Sequence, residues 1–400
     1  MTEVALTGLG TYVPDVVVTG EEIASASGIP EDVVVEKMGL REKRVCPSDD
    51  DHATDMSTKA ARNALADADL DPEALDLVLY HGSEYKDHVV WSAAANVAER
   101  IGATNAYATE SYTLCAGAPI ALRQVAAQIR AGDVDRALLV SASREADLVD
   151  YENERSSFMF NFGSGASAFV VEVASRTDAE RSSGTGREQG ERPDDASGEG
   201  RPASGQRPRD DAADSQPTVD DHAPADAATP AGERARALVR ESAAVTDGSF
   251  SMDVVMPAGG SKHPPSRETV DADEPMHTLD VPDPDGMKER LGDVSLRNYL
   301  DVADDALAKS GYDRDDVDFV AVTHMKRSFH EYLLDELGVD PTTDSYYLDE
   351  YGHVQSVDQA LAVEEALAAD PPRLQSGDVV LFLAAGTGYT WAATVLEWQG

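Results

Sequence analysis

ALADADLDPEALDLVLY (residues 64–80) and ALAKSGYDRDDVDFVAV (residues 306–322) are the two stretches whose comparison decides the fold. Laid together without a gap, Ala64, Leu65, Ala66, Asp71, Asp76 and Val78 fall on Ala306, Leu307, Ala308, Asp313, Asp318 and Val320. Each copy reads as the end of a helix, a polar turn and a short apolar run suited to a buried strand. A second echo keeps the same order. AGDVDRALLVSAS from Ala131 is answered by SGDVVLFLAAGTG from Ser376, each placing Gly-Asp before an apolar strand that ends in small residues. Two matches in order indicate an internal duplication of a strand-and-helix unit.

Working outward, each copy has a helix before its strand, at Asp55–Asp67 and at Leu296–Lys309. Helices alternating with buried strands imply α/β layers with helices covering the sheets. The expected architecture is a layered pseudo-dimer of two halves, residues 1–174 and 238–400. Ligand sites in such folds collect at the carboxyl ends of strands. Between the halves, residues 175–237 hold almost no aromatic or large aliphatic side chains and are rich in Gly, Pro, Ser, Asp and Arg. Such a composition cannot bury enough surface to offset the cost of ordering it, so a disordered insertion is expected there.

At 400 residues with 42% hydrophobic side chains, the chain can bury a large core. No apolar run reaches the roughly 18 residues of a membrane span. MTEVALTGLGTYVP at the start reads as a first strand rather than a signal peptide, so the expected compartment is the cytoplasm. The formal charge is −42, from 75 acidic residues against 33 basic ones, only 8 of them Lys. Such a surface repels nucleic acid and anionic lipid, which removes both as partners. It suits either a basic partner or a salt-adapted, halophilic protein. Molar salt shrinks the Debye length to about 3 Å and screens the self-repulsion, and this second reading is preferred.

Two cysteines, Cys46 and Cys115, give no disulfide framework and no Cys-x-x-Cys spacing. Cys115 precedes Ala116-Gly117-Ala118 and then a helical pattern that runs to Arg130. A thiol in the first turn of a buried helix faces unpaired N–H groups and the positive dipole end, which favour a thiolate. The same N–H groups can donate to an oxyanion. A small buried hydrophobe is the competing reading of Cys115. Cys46 has no helix behind it and reads as inert.

His324 sits just past a buried strand and before an amphipathic helix, where it is either presented to a pocket or caps the turn. His330 reads as a solvent or packing residue of that helix. His353 lies on the loop entering the helix that runs to about Ala369, with Ser356-Val357-Asp358-Gln359 in the form of a capping box. Asp358 then reads foremost as a first-turn carboxylate that suits the helix dipole. Gly386-Thr387-Gly388 is a turn between strands, either a plain hairpin or a place where backbone approaches substrate. Residues 159–165, MFNFGSG, read as strand–turn–strand and not as a phosphate loop. His81, His88, His263 and His277 lack metal-ligand spacing, and no metal is expected.

In order, these pieces resemble the β-ketoacyl-acyl-carrier-protein synthase III branch of the thiolase superfamily. Gly8-Leu9-Gly10-Thr11-Tyr12-Val13-Pro14 is similar to its opening strand and turn, and residues 37–44 to its Arg-Thr-Gly-Ile-x-Glu-Arg segment. Cys115-Ala116-Gly117 matches its Cys-Ala-Gly, residues 162–166 its Phe-Gly-Asp-Gly-Ala, and Gly388-Tyr389-Thr390-Trp391 its final Gly-x-Thr-Trp. The resemblance implies a thiolase-like αβαβα fold, a homodimer, no resident cofactor, and acyl-CoA or acyl-carrier-protein thioesters as substrates. It implies a Cys-His-Asn triad, in which Cys115 and His324 carry over. The asparagine does not: His353 stands there, in Gly-His-Val-Gln-Ser instead of Gly-Asn-Thr-Ser. Val33 and Lys37 replace a Trp and an Arg that often contact coenzyme A. Lys37 and Arg155 are the expected substrate contacts.

The implied reaction is acylation of Cys115, with the N–H of Cys115 and the Gly386–Gly388 turn holding the oxyanion. Decarboxylative Claisen condensation with a malonyl-type thioester held by His324 and His353 follows. Two alternatives stay open: acyl transfer to an oxygen or nitrogen nucleophile with His324 as base, and a catalytically silent assembly subunit.

Overall fold

The computed structural model describes residues 2–47, 51–175, 231–273 and 275–400. The first strand, β1 (Glu3–Tyr12), is buried along most of its length. A small ribbon follows, with β2 (Val17–Thr19) paired to β3 (Glu42–Arg44) around helix α1 (Gly20–Ser27). Then come α2 (Ala53–Asp67), β4 (Leu77–Gly82), α3 (Ala93–Ile101), β5 (Tyr107–Tyr112), α4 (Gly117–Ala131), β6 (Arg136–Ser143) and β7 (Gly165–Ser175). The second half holds β8 (Ala237–Thr246), α5 (Pro284–Ser310), β9 (Phe319–Val322), α6 (Arg327–Leu337), α7 (Asp358–Ala368), β10 (Val379–Gly386) and β11 (Thr390–Trp398).

The strands run in the order β5-β4-β6-β7-β1-β8-β11-β10-β9. Read outward from the short β1–β8 pairing, the two sides repeat each other. On each side an antiparallel neighbour (β7, β11) leads to a third strand (β6, β10), and that strand pairs in parallel with a fourth (β4, β9). Where β5 pairs with β4, a single parallel bridge from Ser345 to Val320 stands in the second half. Helix α2 covers the outer face of one half-sheet and α5 that of the other, while α4 touches strands of both. The result is an αβαβα stack, as expected. Helices α4 and α7 bury more than half of their residues, α4 leaving Arg123 and Gln124 exposed and α7 leaving Glu364 exposed. Their Leu122, Val125, Ile129, Ala362 and Val363 form the central core with Phe169, Phe382 and Trp398 from the strands.

The duplication seen in the sequence has a physical job. Asp76 donates its N–H to the Arg136 carbonyl and accepts the Arg136 N–H on its side chain, both at 2.9 Å. Asp318 does the same with Val379, at 3.0 and 2.9 Å. Each carboxylate therefore fixes the register at which one parallel strand enters beside the next. Gly132 stands four residues before Arg136 and Gly377 two before Val379, so the Gly-Asp echo is displaced from the strand equivalence by about two residues.

Several expectations need correction. Helix α5 starts at Pro284, three turns before Leu296, because Asp283 caps it through Gly286 N–H (3.0 Å) and Pro284 occupies the first turn. Residues 159–165 are not strand–turn–strand. A 3₁₀ segment, Glu154–Met159, leads to a single bridge at Phe162 before β7 begins. The capping box at Ser356 does not form: its hydroxyl pairs with Ser141 at 2.6 Å. Of the expected insertion, residues 176–230 lie outside the described residues, whereas 231–237 pack on the body. Arg236 N–H donates to the Leu6 carbonyl, and Arg234 pairs with Glu172. Charges that read as solvated thus satisfy a buried carboxylate. No helix among the described residues is long and apolar enough to cross a membrane.

Glu172 is 2% exposed and accepts from Thr7 (2.7 Å), Arg136 (3.2 Å) and Arg234 (3.0 Å). Removing one charged donor from a buried carboxylate costs about 1–3 kcal/mol. Arg234→Ala should therefore lower the unfolding free energy by that amount, read in a urea titration as a lower midpoint with an unchanged m-value; an unaltered midpoint would show that Arg234 is dispensable.

Candidate active site

Cys115 lies in a 3₁₀ turn, Leu114–Ala116, that runs directly into α4. Leu114 holds φ at +50°, a left-handed conformation that bends the chain sharply and sets the thiol at the helix N-terminus. The β10–β11 hairpin seats this turn. A Cβ on Gly386 would lie 2.3 Å from the Thr113 carbonyl and 3.2 Å from the Cys115 nitrogen, so only glycine lets the strand approach so closely.

His353 is positioned by backbone. Its N–H donates to the Asn161 carbonyl (2.8 Å), its carbonyl accepts from Gly163 N–H (2.9 Å), and Phe162 forms the bridge between them. Lys43, fully buried, donates to the Phe162 carbonyl at 2.7 Å and braces the same segment. Gly352, with φ of +73°, makes the tight passage into the bridge possible; a Cβ there would fall 2.3 Å from the Asn161 carbonyl. The imidazole then spans two partners. Nε2 is 3.1 Å from the Cys115 sulfur and Nδ1 is 2.6 Å from the Asp358 carboxylate.

Asp358 is fully buried and accepts two further hydrogen bonds, from the N–H of Val354 and the N–H of His324, each at 2.7 Å. Its role is wider than that of a first-turn charge beside a helix dipole: it orients His353. Burial works against a charged His353, but the Asp358 carboxylate and the Cys115 sulfur outweigh it and hold the imidazole well above its ordinary range. An imidazolium beside the sulfur is the consequence.

His324 has the opposite character. It is 4% exposed, its ring lies 4.7 Å from that of Tyr347, and neither ring nitrogen has a partner among the described residues. Burial first, then the nearby His353, His330 and Arg327, keep it well below the ordinary histidine range and therefore neutral. His330 is no solvent residue. It is buried against Tyr347 and pushed down to about 4, by burial and then by Arg327.

Cys115, His324 and His353 line one cavity of about 600 Å³, together with Thr387 and Arg155. Arg155 also pairs with Asp280 at 3.1 Å. Lys37 is exposed and does not line the cavity; its neighbour Met38 does. Gly388 turns the hairpin at φ of +104°; of the turn only Thr387 lines the cavity, while Gly386 packs against the backbone of Thr113 and Cys115. Cys46 is buried with its sulfur 3.8 Å from that of Met56, remote in role from the cavity. Sequence reasoning missed the roof. Pro284, Met287, Lys288, Leu291, Gly292 and Ser295 of α5 all face the cavity. Their spacing of three, four, seven, eight and eleven is a one-face helical signal that was legible in principle.

Three imidazoles are held neutral: His81, pushed by burial to about 3, with His324 and His330. The unfolded chain takes up their protons below about 6.5 and the folded chain does not, so stability falls as pH drops through that point. His330→Gln should make the loss between pH 6.5 and 4 shallower by one proton, about 1.4 kcal/mol per pH unit. Urea titrations across that range read this directly, and an unchanged slope would contradict a neutral buried His330.

Two family models match: 3-oxoacyl-[acyl-carrier-protein] synthase III over residues 110–185, and its C-terminal counterpart over residues 307–398. A β-ketoacyl-[acyl-carrier-protein] synthase III of Prochlorococcus marinus is 32% identical over 44% of this chain and 51% of its own length. One from Agrobacterium fabrum is 23% identical over 98% of both chains. The chain thus spans about half the length of the first relative and nearly all of the second. Among solved structures, the Aquifex aeolicus 3-oxoacyl-[acyl-carrier-protein] synthase III superposes with a TM-score of 0.71 at 20% identity, covering 99% of this chain and 100% of that one. Xanthomonas campestris OleA, solved with bound lauric acid and lauroyl-CoA, reaches 0.70 at 16% identity, covering 99% of each. Thiolase-like layers, the motif order and both family-model matches agree, and over both matched segments the chain is similar to the 3-oxoacyl-[acyl-carrier-protein] synthase III family.

Proposed function

We propose that this chain is an acyl-thioester condensing enzyme that acylates Cys115 and extends the acyl group with a malonyl-type thioester. The observation that carries the reading is the 3.1 Å approach of His353 Nε2 to the Cys115 sulfur, with the unpartnered His324 in the same cavity. The proton shared by Cys115 and His353 rests on the imidazole as sulfur attacks the acyl carbonyl carbon. Backbone N–H groups at Cys115 and the Gly386–Gly388 turn hold the oxyanion, and the first carrier leaves as its thiol with the proton from His353, which becomes neutral. The malonyl-type thioester then enters. Neutral His324 donates to its carbonyl, and His353, reprotonated from solvent as the extender binds, supplies the donor that an asparagine amide would otherwise provide. Carbon dioxide leaves, the enolate carbon attacks the acyl carbon, and the carbon–sulfur bond to Cys115 breaks.

The apolar lining, with Phe158, Phe162, Leu291 and Phe329, suits an acyl chain. Arg155, Lys288 and Lys326 give the lining three cations in an otherwise acidic molecule, which suits the phosphates of coenzyme A or of a carrier-protein arm. No resident cofactor enters this scheme. Strand β5 ends the sheet with Tyr107 and Tyr112 exposed, a fitting edge for a homodimer. The charge of −42 fits a halophilic cytoplasm.

Incubation in high salt with an acyl-CoA panel should add the acyl mass to the Cys115 peptide, and malonyl-CoA should remove it. Cys115→Ser should form no thioester. An adduct indifferent to malonyl-CoA would leave transfer to an oxygen or nitrogen acceptor. No adduct at all would leave a silent assembly subunit.

A further inference from the structure

The position at which the family resemblance implies an asparagine carries an imidazole backed by a carboxylate, and this changes what the site can do after acylation. An amide donates a hydrogen bond but takes up no proton near neutrality; an imidazole does both. Asp358 accepts from Nδ1, so the neutral form of His353 carries its proton there and turns the Nε2 lone pair toward Cys115. The carboxylate is itself fixed by two backbone N–H groups, so this orientation does not depend on the thiol being free. Once sulfur is acylated and the carrier has left with the proton that His353 held, the imidazole is neutral and no thiol proton competes for Nε2. The base then stands beside a thioester whose carbonyl carbon is bonded to the sulfur it formerly contacted.

Water has a route to that carbon. The cavity walls that meet the acyl group include the exposed residues Lys288, Gly292 and Lys326, so the space is continuous with solvent. A second imidazole, His324, has no partner on either ring nitrogen among the described residues and lines the same space, where it can donate to the thioester oxygen.

We infer that the His353–Asp358 pair gives this chain a second activity, hydrolysis of its own Cys115 acyl-enzyme, making it an acyl-CoA thioesterase when no extender is bound. Water attacks the acyl carbon while Nε2 of His353 takes one of its protons. The tetrahedral oxyanion collapses, the carbon–sulfur bond breaks, and the proton on Nε2 passes to the departing sulfur. Over a full cycle one acyl-CoA and one water give one carboxylic acid and one coenzyme A thiol. The inference rests on the Cys115 acylation of the proposed function, and on no part of the condensation step.

The test isolates deacylation from acylation. Wild-type protein is acylated with radiolabelled lauroyl-CoA, freed of excess reagent by gel filtration in high salt, and followed without malonyl-CoA for loss of label from Cys115. The wild type should lose label in a first-order process that releases free lauric acid, carrying ¹⁸O when the water is labelled. His353→Asn and His353→Gln, once acylated, should hold the label about 100-fold longer, the usual worth of a general base. A stable wild-type adduct would overturn the inference while leaving condensation standing. Equal deacylation by either amide variant would overturn it too. Failure of the wild type either to form an adduct or to release lauric acid would remove both this activity and the reading beneath it.

Discussion

One buried carboxylate ties the site together. Asp358 accepts from Nδ1 of His353, from the N–H of Val354 and from the N–H of His324, and it is fully removed from solvent. A carboxylate in that setting needs charged or strongly polar donors around it. The donors it collects belong to the loops that present both imidazoles. Its effect on the two is unequal. His353 receives the charge through a 2.6 Å side-chain contact and is held protonated, while His324 receives only a backbone anchor and stays neutral through burial. Two histidines in one cavity thereby acquire different protonation states, which is how a site separates a proton acceptor from a neutral donor.

The layered duplication explains why these groups meet. Cys115 sits in a 3₁₀ turn that follows a left-handed Leu114 (φ +50°) and enters α4; Ser356 sits in a 3₁₀ turn that follows a left-handed Gln355 (φ +57°) and enters α7. The two central helices thus begin with the same device. In the first half the turn presents a thiol to the cavity. In the second it is sealed: Ser356 pairs with Ser141, and a Cβ on Gly82 would come within 2.4 Å of its hydroxyl oxygen. The second half contributes its chemistry from around that turn instead, through His353 before it and Asp358 after it. Duplication supplied two frames, and only one holds a thiol.

The large negative charge has little part in this chemistry. The charges that matter locally are few and buried: Glu172 among Thr7, Arg136 and Arg234 near the β1–β8 junction, Lys43 against the Phe162 carbonyl, and Asp358 at the site. Lys43 is pushed down to about 7 by burial, so its brace on the Phe162–His353 bridge is an ammonium or amine donor depending on conditions near neutrality. The remaining acidic residues are a property of the surface, governed by salt screening.

Much of the fold was legible because it rests on local, repeated patterns. Paired Asp76 and Asp318 mark strand entry, the apolar runs mark buried strands, and Cys-Ala-Gly before an apolar helix marks a thiol at a helix N-terminus. The family resemblance followed from the order of short motifs. What the linear chain could not decide was which of two meanings a residue has when both use the same neighbours. Asp358 in a first helical turn fits the dipole as well as it fits a histidine partner, and only the bridge from Phe162 to His353 brings that ring between Asp358 and a sulfur 238 positions away. Arg234 and Arg236 read as solvated charge until the fold sets Glu172 and Asp67 beside them. Spacing along the chain determines secondary structure and helix faces, because those interactions span a few residues. Partners across layers are decided by packing of the whole stack, and the catalytic geometry belongs to that second kind.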